Sequence, residues 1–150
     1  MKSVILNALA MILLLLLMGL LLPFSAVGSD TGLICAIDMG SNSFKVMLGE
    51  MKAGGYVQHQ VTKNRLGVGD DMSKTGVISQ PKLKEIRQTL EKFLAVCESK
   101  GIQTRAAVAT AAFREAKNQS EVVEIAKSLH LPLEIASDER ESRLAYLSAR

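Results

Sequence analysis

One stretch of sequence decides the fold, and it reads Leu33-Ile-Cys-Ala-Ile-Asp38-Met-Gly40-Ser-Asn-Ser43-Phe-Lys-Val-Met-Leu48. Its first five residues form an almost wholly apolar run, which is typical of a strand buried on both faces. Asp38 then places a carboxylate where this strand ends. The stretch from Phe44 to Leu48 resumes a strand. The sequence therefore predicts a strand, a tight polar turn and a second strand.

The polar turn has the chemical groups that a phosphate oxygen requires. Gly40 permits a positive φ and a close approach of the backbone. Ser41, Asn42 and Ser43 add hydroxyl, amide and backbone N–H donors within one turn. An ordinary hairpin with Asp-x-Gly at its tip would explain the same residues. The turn alone therefore leaves two interpretations open, a phosphate loop and a plain hairpin.

The turn resembles the first phosphate loop of the exopolyphosphatase and guanosine pentaphosphate phosphohydrolase family in the motif Ile37-Asp38-Met39-Gly40-Ser41-Asn42-Ser43-Phe44. That family lies within the actin-like, sugar-kinase and heat-shock ATPase superfold. Three later motifs follow in the family's order: Arg65-Leu66-Gly67, Thr110-Ala-Ala-Phe-Arg114-Glu-Ala-Lys-Asn118 and Ile135-Ala-Ser-Asp-Glu-Arg-Glu141-Ser-Arg143-Leu144. The resemblance implies that residues 33–150 are the N-terminal actin-like domain, and that the second domain is absent from this chain.

The remaining pattern predicts an α/β fold. Strands are expected at Tyr56–Lys63, Thr104–Ala109 and Leu133–Ala136, helices from Ser79-Gln80-Pro81 to near Gly101, at about Glu121–Leu129 and from Ser137 onward, and a Gly- and Asp-rich loop at Asn64–Met72. Either Asn118 or Ser120 is expected to cap the second helix. We therefore expect a mixed sheet with flanking helices, in which three antiparallel strands precede helix-linked parallel strands. The resemblance implies that this sheet is the ribonuclease-H-like half of an actin-like molecule.

The amino terminus predicts export. Lys2 precedes an apolar run over residues 4–22, and the small residues Ala26 and Gly28 fit a signal-peptidase site, so cleavage is expected after Gly28. The alternative is an uncleaved anchor, because the run approaches the roughly 20 residues that cross a bilayer. The domain is then periplasmic or otherwise extracytoplasmic in the first case and anchored to the inner membrane in the second.

Composition excludes some classes of function. The formal net charge is +3, and removing residues 1–28 removes Lys2 and no acidic residue, leaving +2. Aromatic residues make up 4% and Trp is absent, so we expect no nucleic-acid interface. Cys35 and Cys97 are expected to be buried thiols, with a disulfide as the alternative. No CxxC motif or His pair indicates a structural metal.

Arg114 follows directly after a predicted strand, where open α/β sheets place their ligands. A surface ion pair with Glu115 or Glu121 is one interpretation of this residue. The resemblance implies the other, because the family has a phosphate-binding arginine at this position. A guanidinium offers a planar fork of donors to phosphate oxygens.

The last helix begins with a crowd of carboxylates, which the helix dipole favours. Asp138, Glu139 and Glu141 are therefore explained as capping and solvated charges if the residues are taken alone. The resemblance singles out Glu141 as the family's water-activating glutamate. The chain departs from the family beside it, with Asp138 where the family prefers Gly and Arg140 where it usually has an acid.

The activity that the resemblance implies is release of terminal phosphate from inorganic polyphosphate or guanosine pentaphosphate. Asp38 is expected to help hold Mg²⁺ through water, residues 40–43 to cradle phosphate, Arg114 to clamp the phosphoryl group and Glu141 to activate water. Without the second domain we expect the chain alone to be weakly active or inactive, and the resemblance allows a homodimer of the full-length form. Two alternatives are an ATP-using member of the superfold and an exported module that binds polyphosphate or nucleotides without catalysis.

Overall fold

The computed structural model describes residues 32–53 and 55–148 of the 150-residue chain. Its elements in chain order are β1 (Leu33–Met39), β2 (Ser43–Lys52), β3 (Gly55–Arg65), α1 (Val68–Met72), α2 (Gln80–Ser99), β4 (Thr104–Ala109), α3 (Ala111–Glu115), α4 (Gln119–Ser128), β5 (Leu133–Ile135) and α5 (Asp138–Ser148). Among these elements no helix is both long and apolar enough to cross a membrane. The predicted signal sequence or anchor lies outside the described residues.

The five strands form one mixed sheet in the order β3-β2-β1-β4-β5. β1 pairs antiparallel with β2, and β2 pairs antiparallel with β3. β4 then pairs parallel with β1 on its other side, and β5 pairs parallel with β4. The predicted α/β architecture, with three antiparallel strands followed by helix-linked parallel ones, is therefore confirmed.

The core lies on one face of the sheet. Successive residues of a strand point to opposite faces, and in β1 the buried positions are Cys35, Ile37 and Met39. The register places each of them opposite a buried residue of β2, and the pair Met39 and Phe44 lies nearest the turn. Phe44 continues the core into α3, because its ring lies 5.7 Å from that of Phe113.

Helix α2 packs its apolar stripe against this face. Ser79 is the N-cap and its hydroxyl accepts a hydrogen bond from the backbone N–H of Lys82, while Pro81 occupies the first turn, where no helical partner for its nitrogen is needed. The buried residues of the helix are Leu83, Ile86, Thr89, Leu90, Phe93, Leu94 and Cys97. The predicted start, apolar face and approximate end of this helix are confirmed.

The expected loop at Asn64–Met72 is wrong at both ends. β3 continues to Arg65, and residues 68–72 form the short helix α1. Leu66, Val68 and Met72 are buried, so burial of these side chains stabilises a helical turn in a segment whose Gly and Asp content is typical of a loop. Gly67 makes the transition with a φ of 62°, a conformation that glycine adopts without steric cost.

Two further expectations need correction. Cys35 and Cys97 form a disulfide with a Cα–Cα distance of 6.0 Å, so they are not free thiols. Both residues are buried, and the bond joins β1 to α2. Helix α4 begins at Gln119 rather than near Glu121, and Asn118 is its N-cap residue without a capping hydrogen bond from its side chain.

Candidate functional site

Three loops meet at the carboxyl edge of the parallel strands. The backbone N–H of Thr110 donates to the carbonyl of Met39 at 3.2 Å, and that of Ala136 donates to the carbonyl of Ala109 at 2.9 Å. The segments that follow β1, β4 and β5 therefore lie side by side. Ligands of open α/β sheets bind at this edge, and it carries every residue that the sequence singled out as a phosphate, metal or catalytic group.

The turn after β1 is compact because its first residue is a glycine. A Cβ atom added to Gly40 would lie 3.0 Å from the carbonyl oxygen of Ser43, which is closer than side chains ordinarily pack. Gly40 does not have a positive φ, so close approach is the reason for glycine here and conformational freedom is not. The amide of Gly40 donates to the carbonyl of Ser43 at 3.1 Å, which closes the turn.

The segment after β3 holds this turn in place. The carbonyl of Asn42 accepts hydrogen bonds from Leu66 and Gly67, both at 3.0 Å, and the carbonyl of Ser41 accepts one from Gly69 at 2.9 Å. The Arg65-Leu66-Gly67 motif therefore borders the turn. An open pocket of about 320 Å³ adjoins it, with Ser41, Gly69, Ala111, Ala112 and Glu115 in its wall.

Asp38 lies on the sheet face opposite the core, near the end of β1. Its cross-strand partner is Lys45, whose Nζ lies 3.4 Å from Oδ2 of Asp38. Sequence reasoning missed Lys45, although the antiparallel register around a short turn is a signal that pairs these two positions. Lys45 adds a positive charge beside the turn.

Asp38 suits a magnesium ion only as one ligand among several. Mg²⁺ is commonly bound through one or two carboxylates, with substrate phosphates and water completing its octahedron. The carboxylate of Asp38 keeps about a third of its surface exposed. Within residues 32–53 and 55–148 no group of three or more His, Cys, Asp or Glu side chains could hold a metal. The donors among the described residues therefore fit a metal shared with a substrate, and do not fit a metal held by those residues alone.

Arg114 is fixed at the centre of the edge by three acceptors. Its Nη1 donates to the carbonyl of Ala136 at 2.7 Å and to Oε2 of Glu141 at 3.3 Å. Its Nη2 donates to Oδ1 of Asp138. Neither Glu115 nor Glu121 is its partner, so the simple surface pairing considered from the sequence is not what the structure shows. Arg114 lies in the last turn of the short helix α3, which places it in front of β5.

Glu141 lies in the first turn of α5. The helix start is fixed by a hydrogen bond from the Glu141 amide to the carbonyl of Ser137, and the hydroxyl of Ser137 accepts one from the amide of Arg140. The side chain of Arg140 turns to Glu134, with Nε 2.9 Å from the carboxylate. Arg140, which stands where the family usually has an acid, therefore pairs with Glu134, and Glu141 pairs with Arg114.

The structure thus brings some predicted site residues into contact and leaves others apart. Arg114 and Glu141 touch, and Asp138 joins them. Across the described parts of the chain, no hydrogen bond links this pair to Asp38 or to residues 40–43. These two groups lie along the same sheet edge.

Comparisons with known proteins agree with the motifs. Residues 50–150 match the model of the Ppx/GppA phosphatase family. Exopolyphosphatase 1 of Mycobacterium tuberculosis is 28% identical over 116 residues, which are 76% of this chain and 34% of that protein. The exopolyphosphatase 1 of Mycobacterium bovis has the same identity and coverage. The chain spans about a third of the length of these curated relatives.

Solved structures show the same fold. The crystal structure of an Aquifex aeolicus member of the Ppx/GppA family has a TM-score of 0.70 and 27% identity, over 77% of this chain and 38% of that one. An exopolyphosphatase from Cytophaga hutchinsonii has a TM-score of 0.67 and 25% identity, over 75% and 36%. With a family match over residues 50–150 and this shared fold, the chain belongs to the Ppx/GppA phosphatase family.

Proposed function

We propose that this chain supplies one wall of the active site of a phosphohydrolase that releases terminal phosphate from a phosphoanhydride chain. The observation that carries the proposal is the contact of Arg114 with Glu141 at the sheet edge that also carries the turn at residues 40–43. Polyphosphate and guanosine pentaphosphate both present such an anhydride. The similarity to proteins named exopolyphosphatase makes polyphosphate the first substrate to test.

Arg114 has the chemistry to bind and orient the phosphoryl group that is transferred. Phosphoryl transfer needs little covalent participation by a protein, and it depends on positioning and on stabilising charge on the transferred oxygens. The guanidinium is a quarter exposed and is held by the Ala136 carbonyl, so its plane is set before a substrate arrives. A pre-set plane lowers the cost of ordering in the transition state.

Glu141 has the chemistry to accept a proton from the attacking water or to orient that water. Its carboxylate keeps two fifths of its surface exposed, so water reaches it. The ion pair with Arg114 supports this role, because it would keep the proposed base beside the guanidinium that binds the phosphoryl oxygens. A positioned general base contributes roughly 10²–10⁴-fold to a rate.

Magnesium, if bound between Asp38 and the substrate, would neutralise charge on the phosphate oxygens. The chain's own contribution at that point is the carboxylate of Asp38 on the open face of the sheet. Ser41, Asn42 and Ser43 would meet phosphate oxygens with their hydroxyl and amide groups and with the turn's amides. Lys45, whose Nζ lies 3.4 Å from Asp38, would add a positive charge that attracts the same phosphate.

The test uses a chimera in which residues 33–150 replace the matched third of exopolyphosphatase 1 from Mycobacterium tuberculosis, because the chain spans only that part of its relatives. Phosphate release from polyphosphate with Mg²⁺ is measured for the chimera and for its Glu141→Gln variant. We expect the substitution to lower kcat by roughly 10²–10⁴-fold with little change in KM, because it removes a proton acceptor and preserves shape.

The matched control is Glu139→Gln, which removes an equal charge from the same helical turn. It should retain most of the activity. Arg114→Ala should lower kcat and raise KM together, because Arg114 is proposed to bind the group that reacts. Unchanged kcat for Glu141→Gln at saturating polyphosphate would contradict the catalytic assignment. The 150-residue chain alone, without the rest of the chimera, should release little or no phosphate.

A further inference from the structure

We propose that Asp138 sets the affinity of the site, because its carboxylate occupies Arg114 as an internal anion that an incoming phosphate must displace. This inference rests on the proposed function, since it assumes that Arg114 binds phosphate. Asp138 would thus control how tightly phosphate binds, whereas Glu141 is the proposed base.

The guanidinium of Arg114 donates hydrogen bonds to two kinds of partner, a backbone carbonyl and side-chain carboxylates. Nη1 is tethered by the backbone carbonyl of Ala136 at 2.7 Å, and it also contacts Glu141. Nη2 is held by the carboxylate of Asp138. The position of a backbone carbonyl is set by the fold, whereas a side-chain carboxylate can rotate away. Nη2 is therefore the part of the fork that can exchange its partner.

Exposure identifies Asp138 as the partner that can leave. Its side chain is 87% exposed, against 40% for Glu141 and 25% for Arg114. Water replaces the ion pair at little cost when a carboxylate is this exposed, and exposed ion pairs contribute little to stability. A phosphate oxygen can take the place of the carboxylate because both form charge-assisted bonds with a guanidinium.

The net charge around Arg114 opposes the binding of phosphate. Arg114 carries one positive charge and contacts two carboxylates, so the three side chains together carry a net negative charge. A polyanion that approaches this edge is repelled by that charge until Asp138 turns outward. Removing the charge of Asp138 should leave the tether at Ala136 intact and make Nη2 available, so phosphate should bind more tightly.

The experiment measures the dissociation constant of inorganic tripolyphosphate by isothermal titration calorimetry at low ionic strength, without divalent cations. The proteins are this chain and its Asp138→Asn, Glu139→Gln and Arg114→Ala variants. Asp138→Asn should bind about two- to fivefold more tightly than Glu139→Gln, which removes the same charge from the neighbouring residue without touching Arg114. Asp138→Ser serves as a second neutral variant, and circular dichroism checks that each protein is folded.

Equal affinities for Asp138→Asn and Glu139→Gln would overturn the inference, because the effect would then be one of general charge. Weaker binding by Asp138→Asn than by the unaltered chain would also overturn it, since Asp138 would then position Arg114 for phosphate. The Arg114→Ala variant tests the phosphate site separately from the role of Asp138. If it binds as tightly as the unaltered chain, the phosphate site itself is wrongly assigned.

Discussion

At the scale of single residues, Asn118 shows how a side chain can replace a missing strand partner. Its Oδ1 accepts from the backbone N–H of Ile78 and its Nδ2 donates to the carbonyl of the same residue, both at 2.9 Å. The amide thus pairs with a backbone unit 40 positions away as a neighbouring strand would. Nδ2 also donates to Glu121. This contact fixes the segment before α2 against the start of α4.

We expect Asn118→Ala to lower the free energy of unfolding by about 1–3 kcal/mol, because it leaves two backbone polar groups of a buried residue without partners. Urea denaturation of the variant and the unaltered chain measures the difference. Gln80→Ala is the control, since it removes only the exposed hydrogen bond to the other oxygen of Glu121. A loss no larger than that of the control would show that water satisfies Ile78 equally well.

The same contact has a dependence on pH. The hydrogen bonds from Asn118 and then Gln80 hold the pKa of Glu121 below its ordinary value of 4.5. A carboxylate with a lowered pKa in the folded state contributes stability above its unfolded pKa, and this contribution is lost as the pH falls through the folded pKa. The free energy of unfolding that Asn118→Ala removes should therefore become smaller as the pH falls through the folded-state pKa of Glu121.

Arg114 illustrates how far sequence reasoning extends at this scale. Its place just beyond a strand follows from the pattern of small residues in β4, and its type follows from the family motif. Its partners do not follow, because Asp138 and Glu141 are 24 and 27 residues away along the chain. The sequence predicts parallel strands in this region, but no spacing in it shows that β5 pairs with β4 in the register that brings these residues to Arg114.

At the scale of elements, local signals decide which predictions are confirmed. Helix α2 has a capping serine, a proline in its first turn and an apolar stripe over many turns, so tertiary contacts merely select what the sequence already favours. Helix α1 has five residues and two aspartates, which is too short for periodicity to show. Its formation depends on burial of Val68 and Met72 beneath the site, a contact that composition does not reveal.

The disulfide between β1 and α2 should stabilise the fold. It joins two cysteines 62 residues apart, and closing a loop of that size removes conformational freedom from the unfolded chain. We expect reduction to lower the free energy of unfolding by about 2–4 kcal/mol. Urea denaturation with and without dithiothreitol measures the effect.

The control for this prediction is the double variant Cys35→Ala with Cys97→Ala, whose stability should not depend on the reductant. A thiol count in denaturant tests the bond itself. Two free thiols in the untreated protein, or identical midpoints in both conditions, would contradict the prediction. The sequence predicts buried thiols because burial is the usual state of cysteine. Only the fold shows that β1 and α2 bring Cys35 and Cys97 together.

At the scale of the whole molecule, the described residues place the candidate site groups along one edge of a sheet. Its Arg114 and Glu141 are in contact, whereas Asp38 and the turn at residues 40–43 stand apart along that edge. On the sheet face away from α2, Ala36, Met47 and Val108 remain partly exposed. Val61, on the edge strand β3, is 44% exposed. Apolar surface of this kind favours association with another surface.

These features explain why binding and turnover should separate in this chain. We propose that phosphate binding needs only the positive groups and the turn at this edge. Turnover also needs the metal and the attacking water to be fixed, and the single carboxylate of Asp38 cannot do that alone. The chain spans about a third of its curated relatives, so we propose that the remaining two thirds of such a protein complete the site.

We propose above all that the edge after β1, β4 and β5 binds phosphoanhydrides. A nuclear magnetic resonance titration tests this binding most directly. The ¹⁵N-labelled chain is titrated with tripolyphosphate while its backbone amide signals are followed. We predict shift changes confined to residues 40–43, 66–69, 110–114 and 137–141, and their loss in Arg114→Ala. No change at this edge, or changes centred on Lys84 and Arg87 in the pocket between α2 and α4, would contradict the account.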